Sequence, residues 1–165
     1  EMMATRHYIP KKYPAAMTNS FQAVTVDVDP ETGTVQLLKY WCVEDCGKVI
    51  NPLLVDEQVR GSIVQGIGGV LYEECRYDRD GNFLNANMAD YLVPMAGEMP
   101  DIEIGHIETL TMESELGAKG AGEAGTAGAP GAILNAINDA LSPLNASVWA
   151  QPVTPERVLK ALGKY

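Results

Sequence analysis

The stretch GAKGAGEAGTAGAPGA, from Gly117 to Ala132, holds one carboxylate, Glu123, among sixteen residues of which twelve are glycine or alanine. Ground this bare leaves space for a bulky ligand and offers it backbone N–H groups instead of side chains. A lone acid set there is suited to proton transfer. A ligand that desolvates it raises its pKa and makes it a general base. The plainer reading is a surface acid beside a helix N-terminus, where negative charge is favoured in any case. Lys119 is the only cation nearby. A second constellation lies upstream: at 100° per residue, Gln58, Ser62, Gln65 and Gly69 share one face of an expected helix, with Gly61 beside them. That face is small or amide-bearing and carries no charge. Amides donate to and accept from a polar ligand, and small residues allow close backbone approach. Close packing on another element accounts for the small residues equally well.

Two phosphate motifs are tested by the glycines. A Walker loop needs Ser or Thr after its Lys, and Lys119 is followed by Gly120. The dinucleotide fingerprint G-x-G-x-x-G does occur, at Gly120-x-Gly122-x-x-Gly125. Against it, Glu123 sets a negative side chain where a pyrophosphate should lie. The expected acid at the end of a following strand is also missing, since Asp139 falls inside an expected helix.

The elements that must position these groups are readable. FQAVTVDVDPETGTVQLLKYWCVEDCG reads as two strands about a DPETG reversal, the second more continuously apolar and so deeper in a sheet. Asn51 caps and Pro52 opens a helix reaching about Glu73, with Val59, Ile63, Ile67, Val70 and Leu71 as its apolar stripe. Asp80-Gly81 marks a tight hairpin, residues 85–100 are irregular, and DIEIGHIETL alternates as a strand. A helix follows with Pro130 near its start and Ile133, Ile137 and Leu141 at helical spacing, and a last short helix is capped by Thr154 and closed by Gly163. Strands and helices mix without strict alternation, so the fold class is α+β. The 165 residues suffice for one domain with a core. A net charge of −10 repels a phosphate backbone and argues against nucleic acid. No apolar run is long enough for a membrane span. Cys42, Cys46 and Cys75 are read as buried, reduced thiols of a cytoplasmic protein.

ELGAKGAGEAGTAGAP resembles the C-terminal signature of the molybdopterin-binding large subunit of the xanthine oxidase family of molybdenum hydroxylases. VEDCGKVINPLLVDEQVRGSIVQGIGGVLYEE, YDRDGNFLNANMADYLVP and PVTPERVLKAL agree in the same order, so the likeness runs from about Phe21 to Leu162. It is strongest to carbon monoxide dehydrogenase-like large subunits. The resemblance implies that Glu123 is the base beside the molybdenum and that Gln58 contacts the pterin. Backbone of Ala118, Lys119, Gly120, Ala121 and Gly122 would line the cofactor, with Ser62 and Gln65 added by their shared face with Gln58. It further implies a molybdopterin cytosine dinucleotide shared with other domains, and 2Fe-2S and FAD groups on partner subunits or domains. The reaction would oxidise a small carbonyl, heteroaromatic or CO substrate with oxygen from water. Residues 1–165 are then expected to be a single C-terminal domain of a larger subunit, irregular over 1–20 and inactive alone. The alternatives are a dinucleotide-binding module and a non-catalytic assembly domain.

Overall fold

The computed structural model describes residues 2–7 and 16–164. Strands β1 (Asn19–Val28) and β2 (Val35–Asp45) pair antiparallel, and β3 (Asp101–His106) pairs parallel with β2, giving the order β1-β2-β3. β2 is therefore the central strand, as its apolar run implies. Asp29 closes the β1–β2 turn, accepting from the backbone N–H of Glu31 and the hydroxyl of Thr32. A bulge between Thr25 and Val26 shifts the register of this pair.

Helix α1 (Pro52–Leu71) opens on Asn51, whose side chain accepts from Leu54 N, with Pro52 in the first turn. Helix α2 spans Ala124–Leu141 and α3 spans Pro155–Ala161, the latter capped by Thr154 accepting from Arg157 N. α1 and α2 cover one face of the sheet. The core between them holds Tyr40, Val59, Ile63, Ile67, Val70, Ile133, Ile137 and Leu141, none with any solvent exposure. The architecture is α+β, and the apolar stripe read for α1 is buried except for Leu71, which is partly buried.

Two sequence readings differ from the structure. α2 starts at Ala124, so Pro130 lies inside it and the second half of the glycine-rich stretch is helical. An interior proline removes one N–H and is normally a breaker. Here packing overrides propensity, because small residues let α2 lie directly on α1. A Cβ on Gly66 would stand 2.6 Å from Ala129 Cβ, and one on Gly125 would stand 2.3 Å from Ser62 Oγ. Those contacts also give the register: residue 62 meets 125 and residue 66 meets 129, so the helices run in the same direction. The second difference is Cys75, which is exposed, while Cys42 and Cys46 are buried.

Candidate functional site

The loop before α2 hangs on the end of β2. Gly47 bridges Ala118, Lys119 N donates to Cys46 O at 2.7 Å, and Lys48 N donates to Gly117 O at 3.1 Å. Gly47 has φ +67°, and a Cβ there would lie 2.3 Å from Gly117 O, so only glycine admits this approach. The Lys119 side chain is nearly buried and pairs with Asp45 at 3.0 Å. Asp45 also accepts from Thr109 N and Gly47 N, each at 3.0 Å. Hydrogen bonding from Thr109 first, then from Lys119, holds the Asp45 carboxyl well below the usual carboxylate range. Lys119 thus serves as a rivet for the loop, and its ammonium is committed away from any ligand.

Beyond that rivet the chain is bare. Gly120, Ala121, Gly122, Glu123 and Ala124 form one wall of an open cleft of about 680 Å³, and residues 16–20 form the facing wall. At Gly120 and Gly122 an added Cβ would meet nothing within 4 Å, so backbone is what faces the space. Glu123 is exposed and stands at the N-cap of α2, yet its side chain makes no capping hydrogen bond. Among the described residues it has no hydrogen-bond or ion-pair partner. The desolvation that would raise its pKa is left to a ligand.

Capping is done from across the interface instead. Gly125 N donates to Ser62 Oγ at 3.1 Å, Ser62 Oγ donates to Val59 O, and Thr126 Oγ1 donates to Ser62 O at 2.8 Å. Ser62 is therefore buried between the helices, while Gln58 and Gln65, on the same helical face, are exposed. Gln58 lies one turn before Ser62 and Gln65 one turn after it, and neither is among the residues that line the cleft.

Four residues near the site escape the sequence reading. Ser20 and Gln22 on β1 bond the first carbonyls of α2, Tyr40 bonds Gln22, and Thr18 lines the cleft. Thr18 donates to Glu44 at 2.5 Å, and Glu44 is wholly buried with its second oxygen unpartnered among the described residues. Burial pushes the Glu44 carboxyl up, against the opposing pull of Thr18 and His106. The only available signal was a polar residue in an inward-facing row, as Gln22 heads the row that continues with Val24, Val26 and Val28.

The dinucleotide alternative requires its loop between a strand and a helix of a βαβ unit. Among the described residues no strand follows α2, and Gly125 packs against a helix. The chain belongs to the molybdopterin cofactor-binding domain family, which it matches over residues 1–100. It is 46% identical over 144 residues to the nicotine 6-hydroxylase large subunit of Paenarthrobacter nicotinovorans, covering 87% of this chain and 18% of the relative. It is 34% identical over 149 residues to the carbon monoxide dehydrogenase large chain of Afipia carboxidovorans, covering 89% of this chain and 18% of that one. Among solved structures, quinoline 2-oxidoreductase from Pseudomonas putida 86 superposes with a TM-score of 0.81 at 40% identity, covering 84% of this chain and 18% of that chain. The chain spans less than a fifth of the length of each of these relatives.

Proposed function

We propose that this chain supplies the wall bearing the general base in the large subunit of a molybdenum hydroxylase. The observation that carries the reading is Glu123: an acid at a helix N-cap that caps nothing, because Ser62 has taken over the capping from α1. Nothing in the helix needs that carboxylate, so it is free to accept a proton from a substrate-side oxygen in the cleft. A molybdopterin cytosine dinucleotide fits the donor set. The bare backbone of Gly120, Ala121 and Gly122 admits a bulky group and offers it N–H donors, and Gln58 on α1 would contact the pterin. When bound, that cofactor supplies the two-electron oxidation, with oxygen from water. Ala118 and Lys119 hold the loop in place through backbone contacts, and Ser62 holds the start of α2.

The relatives named for nicotine and quinoline favour a nitrogen heteroaromatic substrate over CO. The remainder of the large subunit closes the cleft, and 2Fe-2S and FAD groups on partner subunits or domains take the electrons. This chain alone offers one wall, so it is inactive by itself. Buried, unpaired Cys42 and Cys46 suit a cytoplasmic setting. The test is Glu123→Gln in the intact enzyme, with molybdenum content measured beside turnover. Turnover should fall by roughly 10² to 10⁴ with loading unchanged. Wild-type turnover at equal loading refutes the assignment.

A further inference from the structure

Glu123 precedes a helix start that is gripped from both sides. Gly125 N is held by Ser62 of α1, and Gly125 O accepts from Gln22 Nε2 of β1 at 3.0 Å. The same Gln22 amide nitrogen donates to Ser20 Oγ at 3.2 Å, and Ser20 Oγ donates to Ala124 O at 3.3 Å. So the peptides of the two residues after Glu123 are tied to β1 by their carbonyls and to α1 by an N–H. Gly128, one turn on, makes room for this: a Cβ there would stand 2.7 Å from Gln22 Nε2.

A terminal amide can point either way, and only one way works here. The nitrogen must face Gly125 O, because two carbonyl oxygens repel. Tyr40 then anchors the amide in that orientation. Its ring has no solvent exposure, a place a phenylalanine would fill, yet it carries a hydroxyl that donates to Gln22 Oε1 at 2.5 Å. With the nitrogen turned to Gly125 O, the hydroxyl donates to the amide oxygen and holds the amide in that pose. We infer that Tyr40 and Gln22 are positioning residues for Glu123: the buried hydroxyl anchors the Gln22 amide, which fixes where α2 begins and so where the carboxylate stands. The inference rests on the base assignment for Glu123.

The variants are Tyr40→Phe, which removes one oxygen and leaves the core shape, and Gln22→Glu, which keeps size and the bond from Tyr40 but cannot donate to Gly125 O. Both are made in the intact enzyme. Amide exchange in the segment 122–132 should rise about tenfold in each, with α1 unchanged. Turnover should fall about tenfold or more, since small misplacement of a reacting group is expensive, while KM and molybdenum content stay within about twofold. Tyr40→Phe with exchange and turnover unchanged overturns the inference even if Glu123→Gln abolishes turnover. Faster exchange with unchanged turnover also overturns it, because the clamp would then hold the helix and not the chemistry. Loss of molybdenum in both variants, with kcat per bound metal unchanged, assigns the pair to cofactor retention and overturns it as well. If instead Glu123→Gln is fully active, the base assignment has failed, and exchange alone still reports whether the clamp exists.

Discussion

Adding one methyl group to α2 at two positions should have opposite effects. Gly125→Ala puts a Cβ 2.3 Å from Ser62 Oγ, 2.8 Å from Val59 O and 2.9 Å from Ile63 Cγ1. The Ser62 hydroxyl can rotate away, but the Val59 carbonyl is α1 backbone and can move only with its helix. Overpacking of this kind costs about 1–3 kcal/mol. Moving α2 outward to relieve it also stretches the Gly125 N to Ser62 Oγ bond, worth about 0.5–1.5 kcal/mol. Alanine's better helix propensity returns about 0.5–1 kcal/mol. The net is a destabilisation of about 2 kcal/mol, or roughly 4–8 °C in Tm for a chain of this size. Gly131→Ala adds the same methyl where nothing lies within 4 Å, on an exposed position of the same helix. It keeps only the propensity gain of about 0.5–1 kcal/mol and should raise Tm by roughly 1–4 °C. Thermal unfolding followed by circular dichroism reads both. Equal stability of the two variants would refute the close parallel approach of α1 and α2.

Glu44 and Asp45 are neighbours that titrate in opposite senses, and each gives a prediction. The folded state raises the Glu44 carboxyl above its ordinary 4.5, so folded protein holds that proton more tightly and loses stability as pH rises from there through the raised value. Glu44→Gln cannot ionise, so the Tm gap between variant and wild type should grow in the variant's favour across that rise; a gap that does not change with pH counts against a buried, strained carboxyl. The folded state lowers the Asp45 carboxyl below its ordinary 3.8, so its contribution is complete above that pH and lost as pH falls toward the depressed value. Asp45→Asn should therefore be clearly less stable than wild type at pH 7, with the deficit shrinking below about pH 4; a deficit independent of pH would show that its charge does not anchor the loop.

What the sequence made legible was whatever acts over a few residues. Asn51 and Pro52, Thr154 and Pro155, and the DPETG reversal each announce an element boundary by chemistry that reaches only its own turn. Pro130 misleads for the same reason: read locally it opens a helix, but α2 begins six residues earlier because Gly66 and Ser62, more than sixty positions away, offer it a surface to lie on. The role of the Lys119 side chain is illegible for the same reason, since its partner Asp45 is a strand residue that no local pattern links to a glycine loop.

The site divides along that line. Glu123 stands out in sequence because its surroundings are empty, and emptiness is a local property. What holds it is distant: Gln22 and Gly125 are 103 residues apart, and Gln22 and Tyr40 meet only through the pairing of β1 with β2. Bare backbone makes room for a large ligand but cannot fix an acid within the fraction of an ångström that proton transfer demands. The loop that offers the most space must therefore borrow its rigidity from elsewhere. Here it borrows from Asp45 below, Ser62 on one side and Gln22 on the other, three polar side chains from two strands and one helix. A glycine-rich site of this kind should be most sensitive to substitutions at such remote polar residues, whose side chains need not face the ligand at all.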